Sequence, residues 1–204
     1  FFKENYFLVI VKKILKKFEK NTSVEAKKWA VENNKRSIEE FFCSVDAPLY
    51  DEIKIEIKSI QEYAQNKISK LTVPLGGGGN YILLYFLIRK FKLLNIVETG
   101  VAAGWTSLAI LRALKKNGKG FLYSSDFPYF RLKNPEKFIG CVVPEAIKNN
   151  WSLDLRGDEI VIPEVCNKVQ NIDIFHYDSD KSYSGRLFAT KQIQKKLSLN
   201  SMVI

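Results

Sequence analysis

The spacing of hydrophobic residues changes near residue 73 and divides the chain into two parts. Before that point, apolar residues recur at helical intervals and predict three helices: a first around residues 7–18, a second from Thr22 or Ser23 to Arg36, and a third over Leu49–Leu71. From residue 95, short apolar runs alternate with helical segments, which is typical of a parallel α/β sheet. We therefore expect a helical cover over residues 1–72 and an α/β domain over residues 73–204.

Five short apolar runs predict the strands of this sheet. They lie at Ile96–Thr99, Phe121–Ser125, Trp151–Leu155, Ile172–Tyr177 and Ser201–Ile204. Helices are predicted over Thr106–Lys116 and Leu187–Leu197, with shorter helices opening at Pro144 and Pro163. The alternation of strands and helices after residue 95 predicts a parallel sheet with right-handed crossovers, in the order 3-2-1-4-5. Because the last run stops at the end of the sequence, we expect a fragment whose C-terminal strands are missing.

The first predicted helix has an apolar side and a basic side. The apolar side consists of Phe7, Val11, Ile14, Leu15 and Phe18, and the basic side of Lys12, Lys13, Lys16, Lys17 and Lys20. Such a helix can lie on a membrane surface. Packing of the apolar side against the rest of the chain is the more usual arrangement, and we expect it here.

Composition and charge narrow the class of protein. A content of 46% apolar and 26% charged residues argues against disorder, and the apolar run at Tyr6–Val11 is far shorter than the ~20 residues of a membrane span. The net charge of +10 comes mainly from dispersed lysines, which favours a solvated surface over a nucleic-acid or membrane site. Cys43, Cys141 and Cys166 lack the spacing of disulfide or zinc frameworks, so we expect a cytoplasmic protein.

A glycine-rich loop precedes the α/β part. Gly76–Gly79 and Asn80 are followed by the apolar run Tyr81–Ile88. Either the loop amides approach a ligand at a helix N-terminus, or the loop is a hinge before a buried helix. It is not a Walker loop, since no Gly-Lys-Ser/Thr follows.

The most informative segment, Val97–Ser107, joins the first predicted strand to the next helix. Small residues after a strand let a ligand approach the backbone of a helix N-terminus. A nicotinamide fingerprint needs glycine at the first, third and sixth positions, where this chain has Gly100, Ala102 and Trp105. Because Trp105 would obstruct a pyrophosphate, the departure favours S-adenosylmethionine, which has no phosphate.

Acidic residues follow the other strands. Asp126 comes directly after the second strand, where a carboxylate can accept hydrogen bonds from ribose hydroxyls. Asp158 follows the third strand and suits the amino group of adenine, although Gly157-Asp158 can equally be a turn.

A third group follows the fourth strand. Asp178 and Asp180 can hold a divalent cation, orient a substrate beside Lys181 as base, or form a turn that caps the next helix. Since three strand ends would converge on one cleft, we favour a functional role. The single histidine, His176, fits a buried structural role at least as well as a catalytic one.

Together these segments resemble the class I S-adenosylmethionine-dependent methyltransferases, closest to small-molecule and sugar O-methyltransferase-like proteins with an acidic-x-Gly motif and a later Asp-x-Asp-His-x-Tyr motif. The resemblance covers roughly Leu75–Ile204. It implies a Rossmann-like fold with Asp126 at the ribose, Asp158 near adenine and Asp178 at the reaction centre. The residues expected around the rest of the cofactor are Glu98, Gly100, Ala102, Gly104, Thr106 and Ser107.

The expected activity is methyl transfer from S-adenosylmethionine to an oxygen of a small molecule or sugar. Asp178, Asp180 and Lys181 are the expected catalytic residues, while the glycine loop and Phe127–Phe130 would line the acceptor side. Lys181 stands where many relatives have histidine, so a divalent metal is possible but not favoured. The alternatives are a nucleic-acid methyltransferase, although no Asn-Pro-Pro-Tyr-like tetrad is present, and a non-catalytic Rossmann-like module.

Overall fold

A computed structural model describes residues 7, 11, 14–15, 23–34, 37–75, 77–127, 129 and 132–204. Strands and helices alternate in its second part. The elements are α1 (Ser23–Asn33), α2 (Ile38–Ile68), α3 (Tyr81–Phe91), β1 (Asn95–Thr99), α4 (Trp105–Asn117), β2 (Phe121–Ser125), β3 (Trp151–Asp154), α5 (Asp158–Lys168), β4 (Ile172–Tyr177), α6 (Tyr183–Ile193) and β5 (Leu197–Val203). Short 3₁₀ helices cover Pro135–Phe138, Glu145–Asn150 and Gln194–Lys196.

The five strands form one parallel sheet in the order β3-β2-β1-β4-β5, which confirms the predicted α/β fold class and strand order. In the centre of the sheet, Glu98 of β1 lies opposite Ser124 of β2 and His176 of β4. The carboxyl ends of these three strands therefore share one edge, where ligands bind in open α/β sheets.

A hydrophobic core lies on each face of the sheet because successive strand residues point to opposite sides. Ile96 of β1 belongs to the core formed with α2, α3 and α4. Its neighbour Val97 belongs to the core formed with α5 and α6. Helix α2 contributes Phe42, Ile53 and Ile60 to the first core, so it packs with the elements that cover the sheet.

Helix α2 begins eleven residues before the predicted start at Leu49. A capping box begins it: the Glu40 amide donates to the Ser37 hydroxyl, and the Ser37 amide donates to the Glu40 carboxylate. The backbone then kinks at Asp46, two residues before Pro48, and the Leu49 amide donates to the Asp46 carboxylate at 3.0 Å. The predicted start at Leu49 therefore marks the segment after the kink.

Three predicted boundaries in the α/β part are wrong. Pro163 lies inside α5, which begins at Asp158 after Gly157, instead of opening a helix. Helix α6 begins at Tyr183, because the hydroxyl of Ser182 accepts a hydrogen bond from a backbone amide in the first turn and caps the helix. Strand β5 begins at Leu197 and not at Ser201, and a register shift against β4 interrupts its pairing.

The expected packing of the first helix is not observed at three of its four described residues, whereas Val11 is half-buried. The described residues Phe7, Val11, Ile14 and Leu15 are helical, but Phe7, Ile14 and Leu15 are 71%, 50% and 62% exposed. Phe18 and the five lysines of the basic side lie outside the described residues. Within the described part of the chain, no helix is long and apolar enough to cross a membrane.

Candidate active site

The predicted site residues lie along the carboxyl edge of the sheet. Backbone hydrogen bonds link the segments that follow β1, β2 and β4: the Gly100 amide donates to the Ser125 carbonyl at 2.9 Å, and the Asp178 amide donates to the Thr99 carbonyl at 3.0 Å. Asp126 follows β2 directly. The structure thus brings the loop of residues 100–104, Asp126 and Asp178 to one place.

Glu98 lies beneath this edge and is fully buried. The hydroxyls of Ser107 and Ser124 donate to one of its carboxylate oxygens at 2.6 and 2.9 Å, and that of Thr106 donates to the other. Burial raises the pKa of Glu98, while these hydroxyl donors lower it. Glu98 therefore ties the start of α4 to β1 and β2. Ser124 is not among the predicted site residues, and its only signal in the sequence is a polar residue within a largely apolar strand.

A close contact between two backbone segments requires glycine at position 100. Its φ is +78°, and a Cβ atom there would lie 2.5 Å from the carbonyl oxygen of Asp178. The absent side chain thus allows the loop after β1 to contact the segment after β4.

Asp126 fastens the loop after β1 to the end of β2. Its carboxylate accepts hydrogen bonds from the amides of Ala102, at 2.7 Å, and Phe127, at 2.6 Å. Burial raises the pKa of Asp126, while these amide bonds lower it. Ala102 has a φ of +49°, which glycine adopts more readily. The backbone thus keeps a glycine-like conformation at the position where the dinucleotide fingerprint has glycine.

Residues 139–143 cover the other side of the same loop. The Gly140 amide donates to the Ala102 carbonyl at 2.8 Å, and the Val142 amide donates to the Ala103 carbonyl at 3.1 Å. A Cβ atom at Gly104 would lie 2.8 Å from the Cα of Gly140. Gly104 therefore permits this backbone contact.

Asp158 connects strand ends through hydroxyl groups. It accepts a hydrogen bond from Ser125 at 2.7 Å and another from Ser179. The Ser179 hydroxyl also lies 3.0 Å from that of Thr99. This cluster joins the ends of β1, β2 and β4 to the first residue of α5. Thr99, Ser125 and Ser179 are not among the predicted site residues, and their only signal in the sequence is a polar residue at or just after the end of an apolar strand.

Asp178 and Asp180, the two acidic residues that follow β4, lie in different environments. The Lys181 ammonium donates to the Asp178 carboxylate, and both side chains are about half exposed. The Asp180 carboxylate accepts from the Ser182 amide at 3.0 Å, next to the cap of α6. In the described part of the chain, no group of three or more His, Cys, Asp or Glu side chains could hold a metal ion.

Two buried polar atoms have no hydrogen-bond partner among the described residues: Nδ1 of His176 and Nε1 of Trp105. His176 precedes Asp178 by two residues, and Trp105 begins α4. The ring of Trp105 lies 5.8 Å from that of Tyr81, and a Cβ atom at Gly78 would lie 2.9 Å from Cβ of Trp105. The described part of the glycine loop therefore packs against the start of α4.

Comparisons with known proteins agree with this architecture. No protein-family model matches the chain, and no curated protein matches it. Among solved structures, the SAH-bound methyltransferase PaMTH1 of Podospora anserina aligns with a TM-score of 0.52 and 12% identity, covering 78% of this chain and 69% of its own. The O-methyltransferase TomG of Streptomyces achromogenes, involved in tomaymycin synthesis and solved in complex with SAM, aligns with a TM-score of 0.51 and 16% identity, covering 82% and 73%.

The chain has the fold of class I methyltransferases. In this methyltransferase fold, backbone atoms of Asp178 and Gly140 lie where Cβ atoms of Gly100 and Gly104 would stand, so both glycines serve contacts of the loop with neighbouring segments. Trp105 occupies the first helical position of α4, where a dinucleotide phosphate would approach.

Proposed function

We propose that the protein is an S-adenosylmethionine-dependent methyltransferase that methylates an oxygen atom of a small molecule or sugar. The observation that carries this proposal is the junction of Asp126, the loop of residues 100–104 and Asp178 at one sheet edge. The SAH-bound and SAM-bound structures with the same fold support the choice of cofactor.

Asp126 would accept a hydrogen bond from a ribose hydroxyl, since its carboxylate offers about four lone-pair positions and the amides of Ala102, Phe127 and Val101 use three of them. The loop of residues 100–104 would contact the methionine part of the cofactor, and Asp158 would lie near adenine. Because Glu98 is fully buried beneath the loop, we assign it a positioning role with the side chains of Thr106 and Ser107.

When bound, S-adenosylmethionine would supply a methyl group carried on a positively charged sulfur. An acceptor hydroxyl would gain this methyl group on its oxygen, while the electron pair of the broken C–S bond would stay on sulfur. Orientation of the acceptor for this in-line displacement can lower the barrier by roughly 7–11 kcal/mol. Asp178 would orient the acceptor, and Lys181 would take the hydroxyl proton when its amine is neutral.

Neighbouring groups shift the pKa of Lys181 in opposite directions. Partial burial and the positive charge of Arg186 lower the pKa of Lys181, whereas the paired Asp178 carboxylate acts in the opposite direction. In its protonated, ion-paired state Lys181 repels a cation from Asp178, which supports transfer without a metal, and only its neutral form would act as base. Asp180 is engaged by the Ser182 amide, which supports a role in forming the turn before α6.

Two broader expectations belong to this proposal. Residues 1–72 would form a cover on the domain of residues 73–204, with α2 as its packed part. The protein would act in the cytoplasm on an acceptor other than nucleic acid.

Isothermal titration of the full-length protein with S-adenosylmethionine and with NAD⁺ tests the proposal. We expect binding of the first compound alone. The variant Asp126→Ala should bind it at least about tenfold more weakly, because a charge-assisted hydrogen bond contributes roughly 1.5–3 kcal/mol. Gly118→Ala, which lies at the far end of α4, is the control and should bind normally. Equal affinity of Asp126→Ala and the parent protein would contradict the ribose assignment.

A further inference from the structure

Positive charge gathers at the edge of the sheet opposite the candidate active site. The segments that lead into β1, β2, β4 and β5 are residues 89–94, 115–120, 168–171 and 191–196. Together they contain ten basic and no acidic side chains. The rest of residues 37–204 contains twelve basic and eighteen acidic side chains. Lysines that are dispersed along the sequence are therefore brought together by the fold.

Hydrogen bonds join these four segments into one surface, which we call the basic edge. The Phe121 amide donates to the Leu94 carbonyl at 2.7 Å, and the Leu94 amide donates to the Asp173 carboxylate at 2.7 Å. The ammonium group of Lys196 donates to the Val169 carbonyl at 3.0 Å. Because adjacent strands lie ~4.8 Å apart, the ends of β2, β1, β4 and β5 place the segments within about 15 Å of one another.

Most charges of the basic edge have no counter-ion among the described residues. Arg89 and Lys90 pair with Glu52 and Asp46 of α2. The other eight basic residues are lysines, seven of them exposed, and none forms a salt bridge with a described residue. The helix dipole favours cations in the last turn of a helix, but four of the eight lysines lie beyond the ends of the α-helices. Helix stability alone therefore does not account for the cluster.

Three large apolar side chains lie among these lysines. Phe91 and Leu94, in the segment before β1, are 50% and 38% exposed. Leu199 is fully exposed and lies in the irregular part of β5, between the residues that pair with Ile172 and Ile174 in the first half of β4. The basic edge thus combines cations with exposed apolar groups.

We propose that the basic edge binds the surface of anionic lipid bilayers. Its lysines contact the negatively charged headgroups, and Phe91, Leu94 and Leu199 enter the boundary between headgroups and acyl chains. The candidate active site, at the opposite edge of the sheet, then faces away from the membrane. This binding does not depend on the proposed methyl transfer, and its test needs no cofactor.

A bilayer fits the basic edge better than nucleic acid. Nucleic-acid phosphates would use the lysines but would leave the three apolar side chains in water. The eight cations without a salt bridge at this edge are all lysines, so they cannot make the bidentate contacts by which arginine holds phosphate groups. A bilayer contacts the charged and the apolar side chains at once.

Sedimentation with lipid vesicles tests the proposal. The full chain should sediment with vesicles of phosphatidylcholine and phosphatidylserine, much less with phosphatidylcholine alone, and less at high ionic strength. The triple variant Lys115→Gln, Lys116→Gln, Lys119→Gln should partition roughly a hundredfold more weakly, because each lysine near an anionic surface contributes about fivefold. The double variant Phe91→Ser, Leu199→Ser keeps every charge and should partition about tenfold more weakly.

Matched changes elsewhere control for net charge and for general stickiness. Lys70→Gln, Lys133→Gln and Lys137→Gln together remove the same charge from exposed positions outside the basic edge, and they should leave partitioning nearly unchanged. Val24→Ser with Ile55→Ser is the corresponding apolar control. Circular dichroism of each variant verifies that the fold is retained.

Three results would overturn the proposal. The first is absence of sedimentation with anionic vesicles, which would leave the basic edge as a solvated surface. The second is a loss of binding in the control variants as large as that in the variants of the basic edge, or binding by the latter equal to that of the parent protein. The third is binding to polyuridylate RNA, weakened by the triple lysine variant, without binding to vesicles; it would assign the basic edge to nucleic acid.

Discussion

His176, the single histidine of the chain, allows a direct test of the central sheet. It is 3% exposed, lies opposite Glu98 in the register of β1 and β4, and has an Nδ1 atom without a partner among the described residues. Burial, together with the positive charge of Lys181, lowers its pKa to about 4. The folded protein therefore holds a neutral imidazole at a pH where an exposed histidine is protonated.

The sign of the resulting pH dependence follows from the two states. The unfolded chain binds the proton near the ordinary pKa of about 6.5, whereas the folded protein binds it only near pH 4. Between these values acidification favours unfolding. Linkage over this shift predicts that His176 lowers the free energy of unfolding by about 2 kcal/mol between roughly pH 7.5 and pH 5.

The titration of Glu98 changes the free energy of unfolding in the opposite direction over part of this pH range. Burial raises the pKa of Glu98, so its contribution to stability is present below the ordinary pKa of a glutamate and is lost as the pH rises through the raised value. The pH profile of the parent protein alone would mix the two groups. A difference between the parent and a histidine variant isolates His176.

The measurement is urea unfolding of the parent protein and His176→Phe at several values of pH. Phenylalanine fills a similar volume and does not titrate, so Glu98 should contribute equally to both proteins. We expect the parent to lose about 2 kcal/mol relative to the variant on going from roughly pH 7.5 to pH 5. Parallel profiles would show that His176 titrates normally in the folded state and would refute its burial as a neutral group.

Three further predictions concern the loop after β1 and the active site. Ala102→Gly should raise the free energy of unfolding by up to about 1 kcal/mol, because Ala102 has a positive φ; an unchanged urea midpoint would contradict this strain. Gly140→Ala should destabilise more than Gly118→Ala in the same assay: both glycines have a positive φ, but only at Gly140 would the added Cβ atom clash with a side chain, the ring of Trp151. Lys181→Met should lower turnover of a hydroxyl acceptor and leave the affinity for S-adenosylmethionine nearly unchanged, and loss of activity on chelation with recovery on adding magnesium would reassign Asp178 as a metal ligand.

The sheet could be predicted from the sequence because its strands are short apolar runs separated by helical segments. The runs at residues 121–125 and 172–177 coincide with β2 and β4 as the structure has them. Strand β5 could not be predicted in full, since its first half contains polar residues such as Ser198 and Asn200. The pairing of this half with β4 is also interrupted by a shift in register. The early start of α6 depends on the Ser182 cap, a local hydrogen bond that coexists with the turn formed by Asp180, and apolar periodicity reveals neither of them.

The positions of the site residues were partly predictable because the carboxyl ends of parallel strands share an edge. Asp126 and Asp178 are placed by this rule alone. The partners of each residue were not predictable, because they come from distant parts of the chain. The carboxylate of Asp158 is engaged by Ser125 and Ser179, 33 and 21 residues away. The spacing of apolar and polar residues along the sequence does not reveal contacts between such distant residues.

The close packing of the loop after β1 changes how variants of its glycines are interpreted. Gly100→Val is expected to abolish most cofactor binding, but the added side chain would first meet the backbone of Asp178 and would separate two strand ends. Loss of binding in that variant therefore reports on the structure of the edge and cannot identify a ligand contact. Asp126 is more informative, because its carboxylate can be removed without adding bulk. A variant that keeps the fold and loses cofactor affinity at Asp126 would locate the cofactor, whereas the glycines reveal only how the edge is assembled.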